Sequence, residues 1–544
     1  MGWLNLFAAG SGLTGLALVL AAASFAWYRL KVHHLRPGEA GRLFTGSRAA
    51  RYGLVLFCIS RLPGNSNWLE ILLCTLLALH TGYSLFKSGL FPGKPAALAA
   101  NSLPGQSAAG PVLTPEAPGP DPVSPAAKSP SVRLFYAAGR FIERTRPLWV
   151  GAALASFTLG GSRFLVPGLL VLALLWAWAG ITCKTWGRFT PVDLSLGLWL
   201  LLVPVTLYVT SNPGLTGNFL AYFLAQLIAF YSVVTWARNT RRLQLVGWGL
   251  VLAGTLLAAA TPLLIRQGNR FFSLNGLFGP DGLLRVVEIN RNVLAGSLAV
   301  MLPFCCGFLL SQSPGRFYKL RLSASGLALV VVGAGLALTQ SRGAYAAAAV
   351  GLLLVLAMQW PRIGLIVSGL GGAGLLVLLA GLFSSPSMVN RLLPGGLLDG
   401  LDDRLEVWSR AVYAIQDFPF TGIGMGTFGP VTTSLYPYFR ISSENVIPHA
   451  HNIFLQAGVD LGLPGLTGFL ALLFSLLAAG FLGWQRWKAA NNRAASRITL
   501  GGLGSLCALL LHGGLDAVTW GTRPAFLSWA ILGLLLASYL VSEE

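Results

Sequence analysis

LGLWLLLVPVTLYV, residues 196–209, carries no charge and shows no alternation of apolar and polar positions. A half-buried strand, in a soluble sheet or a membrane barrel, would read with a period of two, and a surface helix would keep one polar face. This run has neither, so it is a helix surrounded by apolar neighbours on every side. Runs of its kind recur along nearly the whole chain, each near the ~20 residues that cross about 30 Å of hydrocarbon. The 544 residues are 54% hydrophobic and 10% charged, with a mean hydropathy of +0.67. A soluble domain with that composition would be covered in apolar side chains, so the bilayer is the solvent. The fold class that follows is all-α, a polytopic integral membrane helical bundle.

From Leu148 onward the apolar runs predict about twelve spans: 148–161, 164–182, 193–210, 218–237, 243–265, 292–311, 322–339, 343–360, 363–383, 452–483, 498–518 and 524–541. About two more precede them, near 5–28 and 68–86. Pro, Ala, Gly and Ser dominate 91–131 (PGPDPVSPAAKSPS), where no apolar period survives, so this stretch reads as a linker. It divides an N-terminal membrane segment, 1–90, from a membrane core, 132–544. The basic residues around 140–146, 184–188, 238–242, 316–321, 362 and 486–497 fall on alternate loops, which the positive-inside rule makes cytoplasmic. The 266–291 and 384–450 loops then lie outside. The N-terminal segment fits less simply: Arg29, Lys31, Arg36, Arg42, Arg48 and Arg51 crowd the side that two plain crossings would put outside. Either RAARYGLVLFCISRL (48–62) lies in the interface or the amino terminus is external.

The formal charge of +20 is scattered over short loops instead of forming one face, which speaks for topology and against a nucleic-acid partner. Cys58, Cys74, Cys183, Cys305, Cys306 and Cys507 lie in or beside apolar stretches without zinc-like spacing and read as small hydrophobes. No basic residue precedes the run Trp3–Tyr28, so it reads as a retained anchor and not as a cleaved signal.

Three polar motifs fall on the expected outer side: TQSRG at 339–343, RLEVWSRAVYAIQDFPFTGIGMGTF at 404–428, and PHAHNIFLQAGVDLGLPG at 448–465. In this order and on one side, they resemble the O-antigen ligase family, which includes Wzy-type glycan polymerases, over roughly residues 270–541. The resemblance implies a GT-C-like glycosyltransferase of the bacterial plasma membrane, its site facing the periplasm. It would use an undecaprenyl-diphosphate-linked glycan donor and a lipid or glycan acceptor, with inverting chemistry and neither metal nor other cofactor. Whether such an enzyme ligates or polymerises depends only on its acceptor. The RPAFLSWA segment, 523–530, also resembles family members described as bicarbonate transport-related. A transporter would show internal repeats and broken helices about a midplane site, and the polar residues here cluster at one face instead.

The residues carry this chemistry on physical grounds as well. Arg342 stands between two spans, where a permanently charged guanidinium needs an anionic partner; a diphosphate offers bidentate geometry, and lipid headgroups are the alternative. Arg404 would share that diphosphate or pair with Asp402, Asp403 or Glu406. Trp408 follows it by four residues, and Leu405, Val412 and Ile415 read as one apolar helical face. His451 can accept a proton near neutral pH from an attacking hydroxyl, bind the diphosphate, or cap a helix. His449 makes an HxH pair with it, but the sequence offers no third ligand in suitable context, so a metal is not expected. Asn452 follows directly. Asn290, Arg291 and Asn292 open a span in INRNVLAG and would bind sugar or phosphate, or cap it. Asp516 lies four residues after His512, on one helix face, as a functional carboxylate or a partner for Arg523. Tyr436, Tyr438 and Phe439 would stack on sugar rings. TGIGMGTFG has the look of a phosphate-binding glycine loop, but no strand precedes it, and it reads as a tight turn near the headgroups.

Overall fold

The computed structural model describes residues 3–32, 130–160, 165–265, 289–362, 401–442 and 447–544, with isolated positions at 44–53 and 364–369. The expected span 68–86, most of 363–383 and most of the linker lie outside the described residues. Among those described there is no strand, and ten helices are long and apolar enough to cross a membrane. The protein is an all-α multi-pass membrane protein.

The helices are α1 (Trp3–Val32), α2 (Pro130–Arg144), α3 (Arg146–Gly160), α4 (Leu165–Cys183), α5 (Asp193–Val209), α6 (Pro213–Trp236) and α7 (Thr240–Ala259). After these come α8 (Arg291–Leu310), α9 (Tyr318–Leu338), α10 (Arg342–Gln359), α11 (Leu401–Asp417), α12 (Phe428–Leu435), α13 (Ile453–Ala489), α14 (Arg493–Gly513) and α15 (Phe526–Glu543). Helix α2 was not expected from apolar runs, because its hydrophobic residues are spaced around an otherwise basic helix; Leu134 and Phe141 remain exposed. Asparagines set several starts: Asn212, Asn239, Asn452 and Asn492 each accept backbone N–H groups from the first turn of α6, α7, α13 and α14. Such caps satisfy donors that would otherwise be left bare at a helix end.

Helices α8, α10 and α14 form the tightest part of the bundle. A Cβ on Gly307 of α8 would fall 2.5 Å from Gly501 Cα of α14, and one on Gly351 of α10 would fall 2.6 Å from the Gly504 carbonyl. Lipid offers no hydrophobic drive between helices, so close backbone approach at small residues does the packing. Trp199, Phe223, Phe469, Trp520 and Trp529 interleave beside it with ring centroids 5.1–6.2 Å apart. Antiparallel α8 and α14 place Arg291 and Gly513 at one end, while Arg497 reaches the Leu310 carbonyl at the other. The starts of α8, α10 and α13 and the end of α14 therefore share one end of the molecule. An apolar cleft of about 480 Å³ between α3, α6, α7 and α15 lies apart from the polar residues gathered there.

Candidate active site

The turn after α14 is the hub of that end. Helix α14 stops at Gly513, so Asp516 stands beyond it and not on one helical face with His512; its N–H still donates to the His512 carbonyl at 2.8 Å. Four elements close on this turn. Arg404 of α11 donates to the Leu515 carbonyl at 2.8 Å. At the start of α10, a Cβ on Gly343 would meet Leu515 Cδ1 at 3.2 Å, which sets the exposed Arg342 beside the hub, at a helix start whose Ser341 makes no side-chain cap bond. Asn452 donates to the Gly514 carbonyl at 3.0 Å while its oxygen caps α13. In α8, a Cβ on Gly296 would touch Val518 at 2.5 Å and the His512 ring at 3.1 Å.

His451 Nδ1 lies 3.2 Å from Asp516 Oδ1, and the same oxygen accepts the Ala517 N–H. With Nδ1 donating, the lone pair of His451 falls on Nε2, away from the carboxylate. The residue has φ +47°, a left-handed conformation that a side chain adopts only where its surroundings hold it. They do so here: its N–H donates to His449 Nδ1 at 3.3 Å, and Trp408 Nε1 donates to its carbonyl at 3.3 Å. Burial pushes the His449 imidazole down to about 4, with Asp516 opposing, so His449 is neutral at pH 7 and its 3.6 Å approach to Asp516 is no ion pair. Burial works against the Asp516 carboxylate, but the His451 hydrogen bond and the surrounding imidazoles hold it below the usual range.

His449, His451 and Asp516 offer ligand atoms within 4.8 Å of one another, so the fold supplies the third metal ligand absent from the HxH motif. The hydrogen bonds just described already use these atoms: His449 Nδ1 accepts from a backbone N–H, and Asp516 Oδ1 accepts two donors. His512 is buried, and its Nδ1 has no hydrogen-bond partner among the described residues.

Other expected residues take different places. Asn290 caps α8 by accepting the Asn292 N–H, and Arg291 and Asn292 stand at the same end, exposed and half-buried, outside the hydrogen-bond set around Asp516. Arg523 donates to the Tyr222 hydroxyl, so the suggested pairing with Asp516 is not made. Arg404 is not spent on its acidic neighbours: Glu406 pairs with Arg410, and Asp402 with Arg440. The buried face of α11 is Val407, Ala411 and Ala414, whereas Leu405 is 50% exposed. Tyr436 bonds Asp417, and Tyr438 bonds Thr432 under the Arg410 guanidinium, which leaves Phe439, 88% exposed, as the open ring of the three.

The glycine loop is neither a phosphate cradle nor a surface turn. Gly422, Gly424 and Gly426 all have positive φ, and a Cβ on each would strike Asp460, Thr210 or Phe219. The loop is folded into the bundle, with Met425 N–H donating to Thr206 and Gly426 N–H to Asp460. Gln456, Asp460 and Trp520, which hold it, were not singled out in the sequence; a carboxylate inside an apolar run was the available signal at Asp460.

No curated protein matches the chain. The segment running from the middle of α9 through Arg342, Arg404 and His451 into α13, residues 327–470, matches the family model described as O-antigen ligase, the family that the motifs resemble.

Proposed function

We propose that this protein is a membrane glycosyltransferase that moves a glycan from undecaprenyl diphosphate to an acceptor hydroxyl at the outer face of a bacterial plasma membrane. The observation that carries the reading is the convergence of Arg404, the start of α10 and the His451–Asp516 pair on one turn, 514–516. The domain organisation we propose is that of the sequence reading: an N-terminal membrane segment (1–90), a linker (91–131) and a core (132–544) with an external loop at 384–450.

In the reaction, His451 Nε2 takes the proton of the acceptor hydroxyl while that oxygen attacks the anomeric carbon. The bond from that carbon to the diphosphate oxygen breaks, and the diphosphate leaves with the electron pair. Asp516 holds the His451 tautomer and stabilises the imidazolium that forms. Arg342 and Arg404, with the first turn of α10, receive the growing negative charge; guanidinium forks match phosphate oxygens in pairs, and a helix start favours anions. His449, Asn452 and Trp408 fix the turn that carries the base. We assign glycan binding to Arg291, Asn292, Tyr436, Tyr438 and Phe439, as the sequence reading has it.

The test is transfer by the full chain in lipid nanodiscs, given undecaprenyl-diphosphate-linked oligosaccharide and candidate acceptors. Wild-type protein is expected to release undecaprenyl diphosphate in step with glycosylated acceptor. Growth of the donor glycan itself would instead identify a polymerase. Solute uptake in proteoliposomes, with no transfer to any acceptor, would refute the reading.

A further inference from the structure

Asp460 is fully buried in the first turns of α13, above the break at Gly462, where φ is +68°. A carboxylate there is costly unless its oxygens are well used. Three segments use them. Trp520 Nε1 donates to Oδ2 at 2.8 Å, Gly426 N–H donates to Oδ1 at 3.2 Å, and Gln456 Nε2 donates to Oδ1 at 2.9 Å. A carboxylate can only accept, so it fixes which way the Gln456 amide faces. The amide oxygen is thereby turned to the Ala450 N–H, which donates to it at 2.7 Å. Ala450 lies between His449 and His451. Trp520, on the other side, donates its own N–H to the Ala517 carbonyl, next to Asp516.

We propose that Asp460 is a positioning residue that holds the histidine turn and the Asp516 turn in register, through Gln456 on one side and Trp520 on the other. The inference rests on the transfer reading above, because it assigns Asp460 a part in setting the His451–Asp516 pair. It also explains why the glycine loop enters the bundle: Gly426 supplies a third donor to Asp460, so the segment that carries the loop is keyed to the same carboxylate. Misplacing a proton acceptor by about 1 Å can cost on the order of 100-fold in rate.

The experiment compares wild type, Asp460→Asn, Asp516→Asn and the double variant as full chains in nanodiscs, with the undecaprenyl-diphosphate-linked donor. In Asp460→Asn, kcat should fall about 10- to 100-fold while KM stays within about twofold. The double variant should be no worse than the poorer single one, since both changes act on one pair. Gln456→Leu cuts the link to Ala450 alone and should reproduce part of the kcat loss; it also serves if Asp460→Asn fails to fold. The ¹⁵N spectrum of histidine-labelled protein gives a readout without turnover, and the His451 Nδ1 signal should move in Asp460→Asn. A moved signal in a protein that transfers nothing would discard the transfer reading and keep the positioning role. Additive losses, or an unmoved His451 signal with unchanged kcat, would overturn the positioning role itself.

Discussion

Arg404 and Arg410 leave α11 less than two turns apart, and their surroundings are opposite in kind. Arg410 is 7% exposed and fully engaged: it bonds the Pro437 carbonyl, the Ser409 hydroxyl and Glu406, and its guanidinium lies 5.2–6.0 Å from the rings of Tyr413, Tyr438 and Phe439. Glu406 in turn accepts the N–H groups of Phe439, Arg440 and Ile441. That cluster is closed on itself. The cluster at Arg404 is not: it holds a strained His451, a neutral His449 against a carboxylate, and a buried His512 nitrogen without a partner among the described residues. Polar groups that satisfy each other build a loop, whereas strained or incompletely paired ones mark a candidate site.

The comparison breaks first at His451. His451→Ala should lower transfer per folded molecule by about 10²- to 10⁴-fold, the range that general-base loss covers, with a modest fall in melting temperature because the buried Asp516 loses a donor. Initial rates with the lipid-linked donor measure it, and retention of a tenth of the activity would remove His451 from the mechanism. Next come the two arginines at the hub. Arg342→Lys and Arg404→Lys should each cost about as much as the alanine variants, on the order of 10- to 100-fold, because an ammonium cannot reproduce paired bonds to phosphate. A fully active lysine variant at either position would show that only charge matters there.

Arg410 sharpens the contrast from the other side. Arg410→Ala should destabilise the 401–442 segment by about 1–3 kcal/mol, since it removes the charged donor to the Pro437 carbonyl and to Glu406, yet leave the rate per folded molecule within a few fold. Thermal melting and active-fraction titration separate the two effects. A rate loss as large as that of Arg404→Ala, without melting, would erase the distinction between the clusters.

The sequence made the bundle legible because each span is a local property: apolar length alone marks α6, α8 or α13, and an asparagine marks several starts. It also placed Arg342, Arg404 and His451 at one end, since alternate basic loops fix which helix ends are neighbours. It could not show that Asp516 faces His451, because those residues are 65 positions apart and meet only through the packing of α13 on α14. The glycine loop was misjudged for the same reason. Its positive φ values were readable as glycine, but its partners Thr206, Thr210 and Phe219 belong to the distant α5–α6 turn. Helix α2 escaped because an amphipathic helix leaves no continuous apolar run.

The smallest expected effect concerns pH, and it again divides the clusters. His449 takes up a proton near 6.5 in an unfolded chain but only at about 4 in the folded protein. Between those values the unfolded state binds more protons, so stability falls as pH falls and is fully present above about 6.5. The loss should reach about 2 kcal/mol at pH 5. Asp516, held below the ordinary carboxylate range, acts in the same direction at still lower pH, because protonation again favours the unfolded chain. Burial works against the Glu406 carboxylate too, but the backbone N–H groups of residues 439–441 hold it low, so the Arg410 cluster keeps its charges across this window. The melting temperature of wild type should therefore be lower at pH 5 than at pH 7.5, and His449→Gln, which cannot protonate, should shrink that difference. An equal drop in the variant would place the acid sensitivity outside the histidine turn and remove His449 as the group that must stay neutral for the turn to form.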